Sequence, residues 1–178
     1  MPLKATSNHR ETEFMDLNID IEESWSSQID ETLGSRAAES LVQIVLALAN
    51  PRLCVSLLFT SDAEVHALNR EWRKRDKATN VLSFPMVDRD TLQSLEPLGP
   101  PVLLGDVALA YETCAREAAE KGVALFDHAA HLVVHGLLHL AGYDHEISPD
   151  DADRMEALEI KALALMGIAD PYGGEHAR

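Results

Sequence analysis

The order of apolar and polar residues along the chain predicts four β-strands. Residues 14–22 alternate apolar and polar side chains, as a strand with one buried face does. Residues 53–60 form a nearly continuous apolar run, and residues 103–110 regain strand character. Residues 79–86 form the remaining strand. Pro85 confines that strand to a sheet edge or ends it, because proline has no amide hydrogen to donate.

Apolar residues that recur with a helical period predict about five helices between and after these strands. The predicted helices span residues 35–49, 61–72, 111–121, about 127–142 and 149–166. Residues 87–101 show no clear period and are expected to form a loop. Together these elements predict an α+β fold, in which a small mixed four-stranded sheet packs with about five helices.

The chain length of 178 residues predicts one domain that can bury a sizeable core. Its composition, 46% apolar and 25% charged, is ordinary for a globular protein. We expect residues 1–12 to be a flexible lead, residues 13–172 to form the single domain, and residues 173–178 to be a flexible tail.

Two features predict a cytoplasmic protein with no membrane partner. No apolar run reaches the roughly 18 residues of a membrane span, and the N-terminus lacks the apolar core of a signal peptide. Cys54 and Cys114 stand far apart in apolar surroundings. We therefore expect the cysteines to be small core residues, and not a disulfide or metal ligands.

Residues 131–145, HLVVHGLLHLAGYDH, contain four of the chain's eight histidines. His135 and His139 project from one helix face, and a neutral imidazole is a common zinc ligand. Gly142 is suited to end the helix in the left-handed conformation, so that the chain can return His145 to the same ion. Three histidines leave a tetrahedral Zn²⁺ one open position, which is typical of a catalytic site. The spacing predicts one reactive zinc ion per chain, on this central helix and the loop after it.

The same stretch can also be interpreted as a buried core helix without a metal, because the residues between the histidines are mostly apolar. One histidine there would usually be a core residue, whereas three at ligand spacing favour a metal site. His131 shares the face, but on a straight helix it lies about 12 Å from His139. Bonds of about 2.1 Å cannot bring both to one ion. We expect His131 to support the site or to face the substrate.

The net charge of −15 argues against indiscriminate nucleic-acid binding, but the basic residues are unevenly distributed. Residues 70–77, REWRKRDK, hold five of the fifteen lysines and arginines. Such a local patch can contact phosphates. A solvated helix end, where the helix dipole favours cations, explains the pattern equally well from charge alone.

Four stretches of the chain resemble the YbeY family of bacterial endoribonucleases and rRNA maturation factors. They are LNREWRKRDKATNVLSFP (68–85), LGDVALA (104–110), HGLLHLAGYDH (135–145) and GIADPY (167–172), in the family's order. The resemblance implies a zinc-dependent, single-strand-specific endoribonuclease that acts in 16S rRNA 3′-end maturation and late-stage 70S ribosome quality control. It also implies small ribosomal subunit components as partners, with no DNA substrate. The implied zinc ligands are His135, His139 and His145, and the implied functional arginine is Arg73.

The chemistry of these residues agrees with that implied activity. Zinc with an open position lowers the pKa of its bound water to around 7 and polarises a phosphoryl oxygen. Arg73 can hold a phosphate in two-point geometry. The further RNA-binding candidates are Lys74, Arg75, Lys77 and His131.

Two alternative functions stay open from the sequence. A zinc metallopeptidase of the H-E-x-x-H kind has glutamate directly after the first histidine, where this chain has Gly136. Asp144 and Glu146, beside His145, are candidates for a base or for residues that orient a ligand without touching the metal. The structural alternative is that both are only solvated. In the second alternative, a non-catalytic ribosome-assembly factor, zinc only holds the last loop in place. Whether water or the RNA 2′-hydroxyl attacks is also open.

Overall fold

The computed structural model describes residues 8–11 and 14–173 of the chain. Its strands are β1 (Asn8–Glu11), β2 (Asp16–Ile21), β3 (Leu53–Thr60), β4 (Val81–Pro85) and β5 (Val102–Ala110). Its α-helices are α1 (Glu23–Ser26), α2 (Leu33–Val42), α3 (Asp62–Arg73), α4 (Arg89–Gln93), α5 (Tyr111–Lys121), α6 (Leu125–Leu140) and α7 (Pro149–Leu165). The predicted α+β fold with a small mixed sheet is confirmed.

The sheet has the strand order β1-β2-β3-β5-β4. Parallel pairing joins β2 to β3 and β3 to β5, while the edge strands β1 and β4 pair antiparallel with their neighbours. The central strands β3 and β5 are the most apolar, because helices cover both of their faces. Pro85 ends β4 at the edge of the sheet, as its missing amide hydrogen predicts.

All four predicted strands are present, and β1 is a fifth. It forms at residues 8–11, within the stretch expected to be a flexible lead, and pairs with β2. Four residues are too few for an alternating pattern to be recognised in the sequence. Of the residues expected to be flexible, 1–7, 12 and 174–178 lie outside the described residues, so the flexibility expected of them stays a prediction.

All five predicted helices are present, together with two short helices that the sequence did not predict. These are α1 and α4, of four and five residues, and α4 lies in the expected loop at 87–101. So short a helix has too few turns to show a period. Helix α2 ends at Val42 and not near residue 49, and a 3-10 turn at Leu46–Leu48 follows it. Val45 and Leu48 lie beyond the end of α2 but are buried. Their spacing in the sequence therefore fits a longer helix as well as it fits the observed turn.

Helix α6 lies at the centre of the molecule. It packs against α2, α5 and α7 and against strands β4 and β5, and eleven of its sixteen residues are buried. Helix α3 contacts β4 and β5, and its buried residues Val65 and Leu68 form a second, smaller core cluster with Leu58 and Leu82. The edge strand β4 and the end of α3 are thereby placed beside the helix that carries the histidines.

Within the described ranges, no single helix is long and apolar enough to cross a bilayer. The pair α5 and α6 passes the same length and composition test together, but the two are bent by 116° and α6 is a core helix.

Candidate active site

The predicted histidine cluster is present at the C-terminal end of α6. The Nε2 atoms of His135 and His139, one helical turn apart, lie 3.0 Å from each other. The ring of His145, in the loop after α6, has its centroid 5.3 Å from the centroid of each of the other two rings. One nitrogen from each ring lies within 4.8 Å of the others, so that the three can bind one ion.

Gly142 lets the chain return after α6. Its φ of +94° is in the left-handed region, where a side chain would be strained. The amide of Gly142 donates to His139 O (3.0 Å) and that of Tyr143 to Leu138 O (3.1 Å), which satisfies the last helical carbonyls. A Cβ at position 142 would also stand 2.6 Å from Cβ of Arg89. Both the backbone and the packing against α4 therefore require glycine before His145.

Glu159 on α7 fixes the orientation of the His135 ring. Its carboxylate is only 1% exposed, and Oε1 lies 2.5 Å from His135 Nδ1. Because a carboxylate only accepts, Nδ1 carries the hydrogen and the Nε2 lone pair is left for a metal. Oε2 accepts from the Tyr172 hydroxyl (2.5 Å), with His131 Nε2 at 3.4 Å. Burial by itself raises the pKa of Glu159, but hydrogen bonds from His131, His135 and Tyr172 outweigh it and lower the pKa to about 2.

The donor set fits a divalent metal such as zinc. Burial, and then the neighbouring His135 and His145, lower the pKa of His139 to about 4, so its imidazole is uncharged at neutral pH. A metal needs this uncharged form, because a protonated ring has no lone pair to give. Three convergent imidazoles, one of them oriented by a buried carboxylate, are the arrangement of a zinc site with an open position.

A cleft of about 600 Å³ lies over the three histidines. Asp144 lines the cleft on the side of the histidines. Strand β4 and the residues directly before it form another part of the cleft wall. Four basic side chains also line it: Arg73, Arg75, Lys77 and Arg89. The fold therefore brings the basic segment, some sixty residues earlier in the chain, to the histidine cluster.

Asn69 holds that basic segment in place. The carbonyl of Asn69 accepts from the amides of Lys74 and of Arg75 (3.2 Å), and its side-chain amide donates to Lys77 O (2.9 Å). Lys74 ends α3 in the left-handed conformation, with φ of 57°. These bonds turn the chain at the helix end, so that Arg75 and Lys77 face the cleft together with Arg73.

The structure gives contacts for three further predicted site residues, Lys74, His131 and Asp144. Lys74 is not part of the cleft wall, and its Nζ donates to Glu71 O (3.0 Å). His131 is 8% exposed and bonds to Tyr172 and Glu159, which favours support of the site over RNA contact. Asp144 accepts from the amide of Glu146 (2.8 Å) and shapes the loop. The residue that orients a histidine is Glu159.

The sequence reasoning missed Glu159, Tyr172 and Arg89. A signal for Glu159 was available, since it is the one acid in a buried stripe of α7 formed otherwise by Met155, Ala162 and Leu163. For Arg89 no signal existed, because α4 itself was not predicted. Its guanidinium lies 4.7 Å from the centre of the Tyr143 ring, at the mouth of the histidine loop.

Gly136, directly after the first histidine, lies against the sheet. A Cβ there would stand 2.7 Å from Val107 Cγ1 and 3.3 Å from Ser83 Oγ. No glutamate side chain fits in that position without moving α6 away from β5. The general base of an H-E-x-x-H peptidase therefore has no counterpart here.

Comparison with known proteins places this chain in a family. The family model Endoribonuclease YbeY matches residues 18–167. The endoribonuclease YbeY of Erythrobacter litoralis is 63% identical over 159 residues, which cover 89% of this chain and 98% of that protein. That of Novosphingobium aromaticivorans is 56% identical over 161 residues, covering 89% and 96%. The solution structure of TM1509 from Thermotoga maritima has a similar fold, with a TM-score of 0.58 at 23% identity over 90% of this chain and 92% of that one. The chain therefore belongs to the endoribonuclease YbeY family.

Proposed function

We propose that this protein is a zinc-dependent endoribonuclease that cuts single-stranded RNA in the cleft over His135, His139 and His145. The observation that carries the proposal is the position of Arg73 in the same cleft as the three convergent imidazoles. Family membership supports RNA as the substrate. We further propose that the RNA is the 3′ end of 16S rRNA, that the protein also acts in late 70S ribosome quality control, and that its partners are small-subunit components in the cytoplasm.

Each residue has a separate task in this proposal. A bound zinc ion supplies Lewis acidity toward a phosphate oxygen. Arg73 holds the phosphate with two parallel N–H donors and stabilises the charge that develops on it. Arg75 and Lys77 bind neighbouring phosphates along the strand. Glu159 keeps the His135 ring turned so that its Nε2 faces the other two ligands.

The two alternative functions make different predictions. A peptidase needs a general base beside the metal, and the position that would supply it in the H-E-x-x-H arrangement is the closely packed Gly136. A non-catalytic assembly factor needs Arg73, which lines the same cleft as the histidines, at most as a positive charge for a phosphate contact. It does not need two-point geometry toward a reacting phosphate. Replacing Arg73 therefore separates catalysis from a purely structural zinc.

The variant Arg73→Lys tests the proposal because it keeps the charge and removes the two-point geometry. We expect kcat/KM on single-stranded RNA to fall by at least about tenfold, which corresponds to about 1.4 kcal/mol of transition-state stabilisation. Zinc content should not change, since Arg73 is not a ligand.

Arg70→Lys is the matched control, because Arg70 is exposed on the same helix and does not line the cleft. It should retain full activity. Full activity in Arg73→Ala with zinc bound would contradict the proposed role.

A further inference from the structure

Asn80 is a polar residue in the cleft wall that the proposed mechanism does not use. It stands directly before β4 and lines the same cleft as His135 and Arg73. Its backbone oxygen accepts from the amide of Ala110 (2.9 Å), and Cys114 Sγ lies 3.7 Å from the same oxygen. The backbone of Asn80 is therefore fixed against the end of β5 and the start of α5.

Glu117 on α5 fixes the side chain of Asn80 as well. The amide nitrogen Nδ2 of Asn80 lies 2.8 and 3.1 Å from the two carboxylate oxygens of Glu117. A carboxylate only accepts, so the NH₂ group of the amide must face Glu117 and the oxygen must face away. Nε2 of His128, a buried residue of α6, also lies 3.6 Å from Oε1 of Glu117.

The remaining polar atom of this amide, Oδ1, is an available acceptor. Within residues 8–11 and 14–173, no group donates a hydrogen bond to Asn80 Oδ1. Asn80 is half-buried and its Oδ1 is not a fully buried atom, so the oxygen keeps some exposure to solvent. The result is an oriented, uncharged acceptor on a residue of the cleft wall, whose other polar side chains include four cations and the three histidines.

We propose that Asn80 Oδ1 accepts a hydrogen bond from a neutral donor of the RNA, and that Glu117 is the positioning residue that aims it. This inference rests on the proposed function, because it takes RNA as the substrate. The donor is the ribose 2′-hydroxyl, which RNA carries at each nucleotide and DNA lacks. An amino group on a base has the same donor chemistry, and the experiment distinguishes the two sources.

A substrate without the donor leaves Asn80 Oδ1 covered and unpaired, which costs binding free energy. The amide thereby gives the cleft a preference for RNA over DNA that phosphate contacts cannot give, since both polymers carry the same phosphates. Glu117 contributes by holding the amide of Asn80 in this orientation. A turned amide would present its NH₂ donor to the cleft in place of the Oδ1 acceptor.

The test compares affinities of zinc-loaded protein for a single-stranded RNA and the DNA of the same sequence, measured by fluorescence anisotropy. The RNA is checked on a gel after each titration, and zinc content is measured for each variant. In Asn80→Ala we expect RNA binding to weaken by about three- to tenfold, the size of one neutral hydrogen bond. DNA binding should not weaken and should improve slightly, because the variant has no unpaired acceptor to cover. Zinc content should be unchanged.

Glu117→Gln is the sharper variant, because Asn80 itself is kept and glutamine is close to glutamate in size. Its amide can donate to Asn80 Oδ1, which lets Asn80 turn its NH₂ toward the cleft. The ratio of RNA to DNA affinity should fall. Glu120→Gln on the exposed side of α5 is the matched control and should leave the ratio unchanged.

The source of the donor is identified with modified RNA on the wild-type protein. Single 2′-deoxy substitutions should reproduce the loss seen in Asn80→Ala. If affinity falls only when a base is replaced by one without an amino group, the donor is the base amino group, and its assignment to the 2′-hydroxyl is overturned. An unchanged RNA-to-DNA ratio in both Asn80→Ala and Glu117→Gln would overturn the proposal, and if Asn80→Ala does not fold, Glu117→Gln decides alone. A wild-type protein that neither binds nor cuts RNA would instead overturn the proposed function.

Discussion

The His135 ring is held by a residue that lies twenty-four positions away in the chain. The spacing of the three histidines could be seen in the sequence, because ligands on one helix repeat with the helical turn. The partner of His135 could not, because Glu159 reaches it only through the packing of α7 against α6. Local spacing therefore predicts the residues that bind a metal better than those that orient them.

Replacing Glu159 should weaken metal binding without removing a ligand. In Glu159→Ala the His135 ring loses its acceptor, and we expect zinc affinity to fall by about 10- to 100-fold. Glu159→Gln should retain an intermediate affinity, since its amide oxygen can still accept from Nδ1. Competition with a chromophoric chelator measures both values.

The control for this prediction is Asp153→Ala, an exposed acid on the same helix. It should bind zinc as the wild type does. Equal affinity in Glu159→Ala and Asp153→Ala would show that the His135 ring is positioned without Glu159.

At the scale of elements, the site depends on how α6 ends. The long helices and strands were predicted because each shows its own period, and the family resemblance agreed with them. The short α4 was not predicted, yet it is the element against which Gly142 packs. Whether a turn is tightly packed depends on what lies beside it, and a single sequence does not contain that information.

Gly142→Val should lower zinc affinity although every ligand is kept. A β-branched residue at a φ of +94° is strained, at a cost on the order of 1–3 kcal/mol. Its Cβ would also displace Arg89 and shift the loop that carries His145. The same chelator competition measures the loss.

Gly122→Val provides a matched control for the strain. Gly122 also has a positive φ, of +67°, but it ends α5 and no atom lies within 4 Å of a Cβ placed there. Gly122→Val should lower thermal stability and leave zinc affinity unchanged. If Gly142→Val binds zinc as tightly as Gly122→Val, His145 is returned to the ion in another way.

At the scale of the whole molecule, an acidic protein gathers four cations in one cleft, together with the acids Asp88, Asp144 and Glu146. The net charge is −15, yet four cations line the wall near the histidines. The basic segment was visible in the sequence as REWRKRDK, but charge alone could not separate a solvated helix end from a binding surface. In the structure, Asn69 turns the chain so that Arg75 and Lys77 line the cleft and Lys74 lies outside it, which supports a binding surface at the first two positions.

Because Arg75 and Lys77 line the cleft and Lys74 does not, replacing them should affect the salt dependence of RNA binding differently. Arg75→Ala and Lys77→Ala should each weaken binding of single-stranded RNA. Each should also make the slope of log K against log salt shallower by roughly 0.7, the value for one phosphate contact. Lys74→Ala should change neither quantity. The same slope change in all three variants would mean that the RNA follows the outer surface of the segment and not the cleft.

The central claim is that one zinc ion, held by His135, His139 and His145, is needed to cut RNA. The most direct measurement determines zinc content and cleavage of a single-stranded rRNA 3′-end precursor on the same preparation, before chelation, after it and after zinc is restored. We predict about one zinc per chain, loss of cleavage with the metal and recovery with it. His145→Ala should lack both zinc and cleavage, and His131→Ala should keep most of the zinc. Undiminished cleavage by the metal-free protein, or zinc retained fully in His145→Ala, would contradict the account.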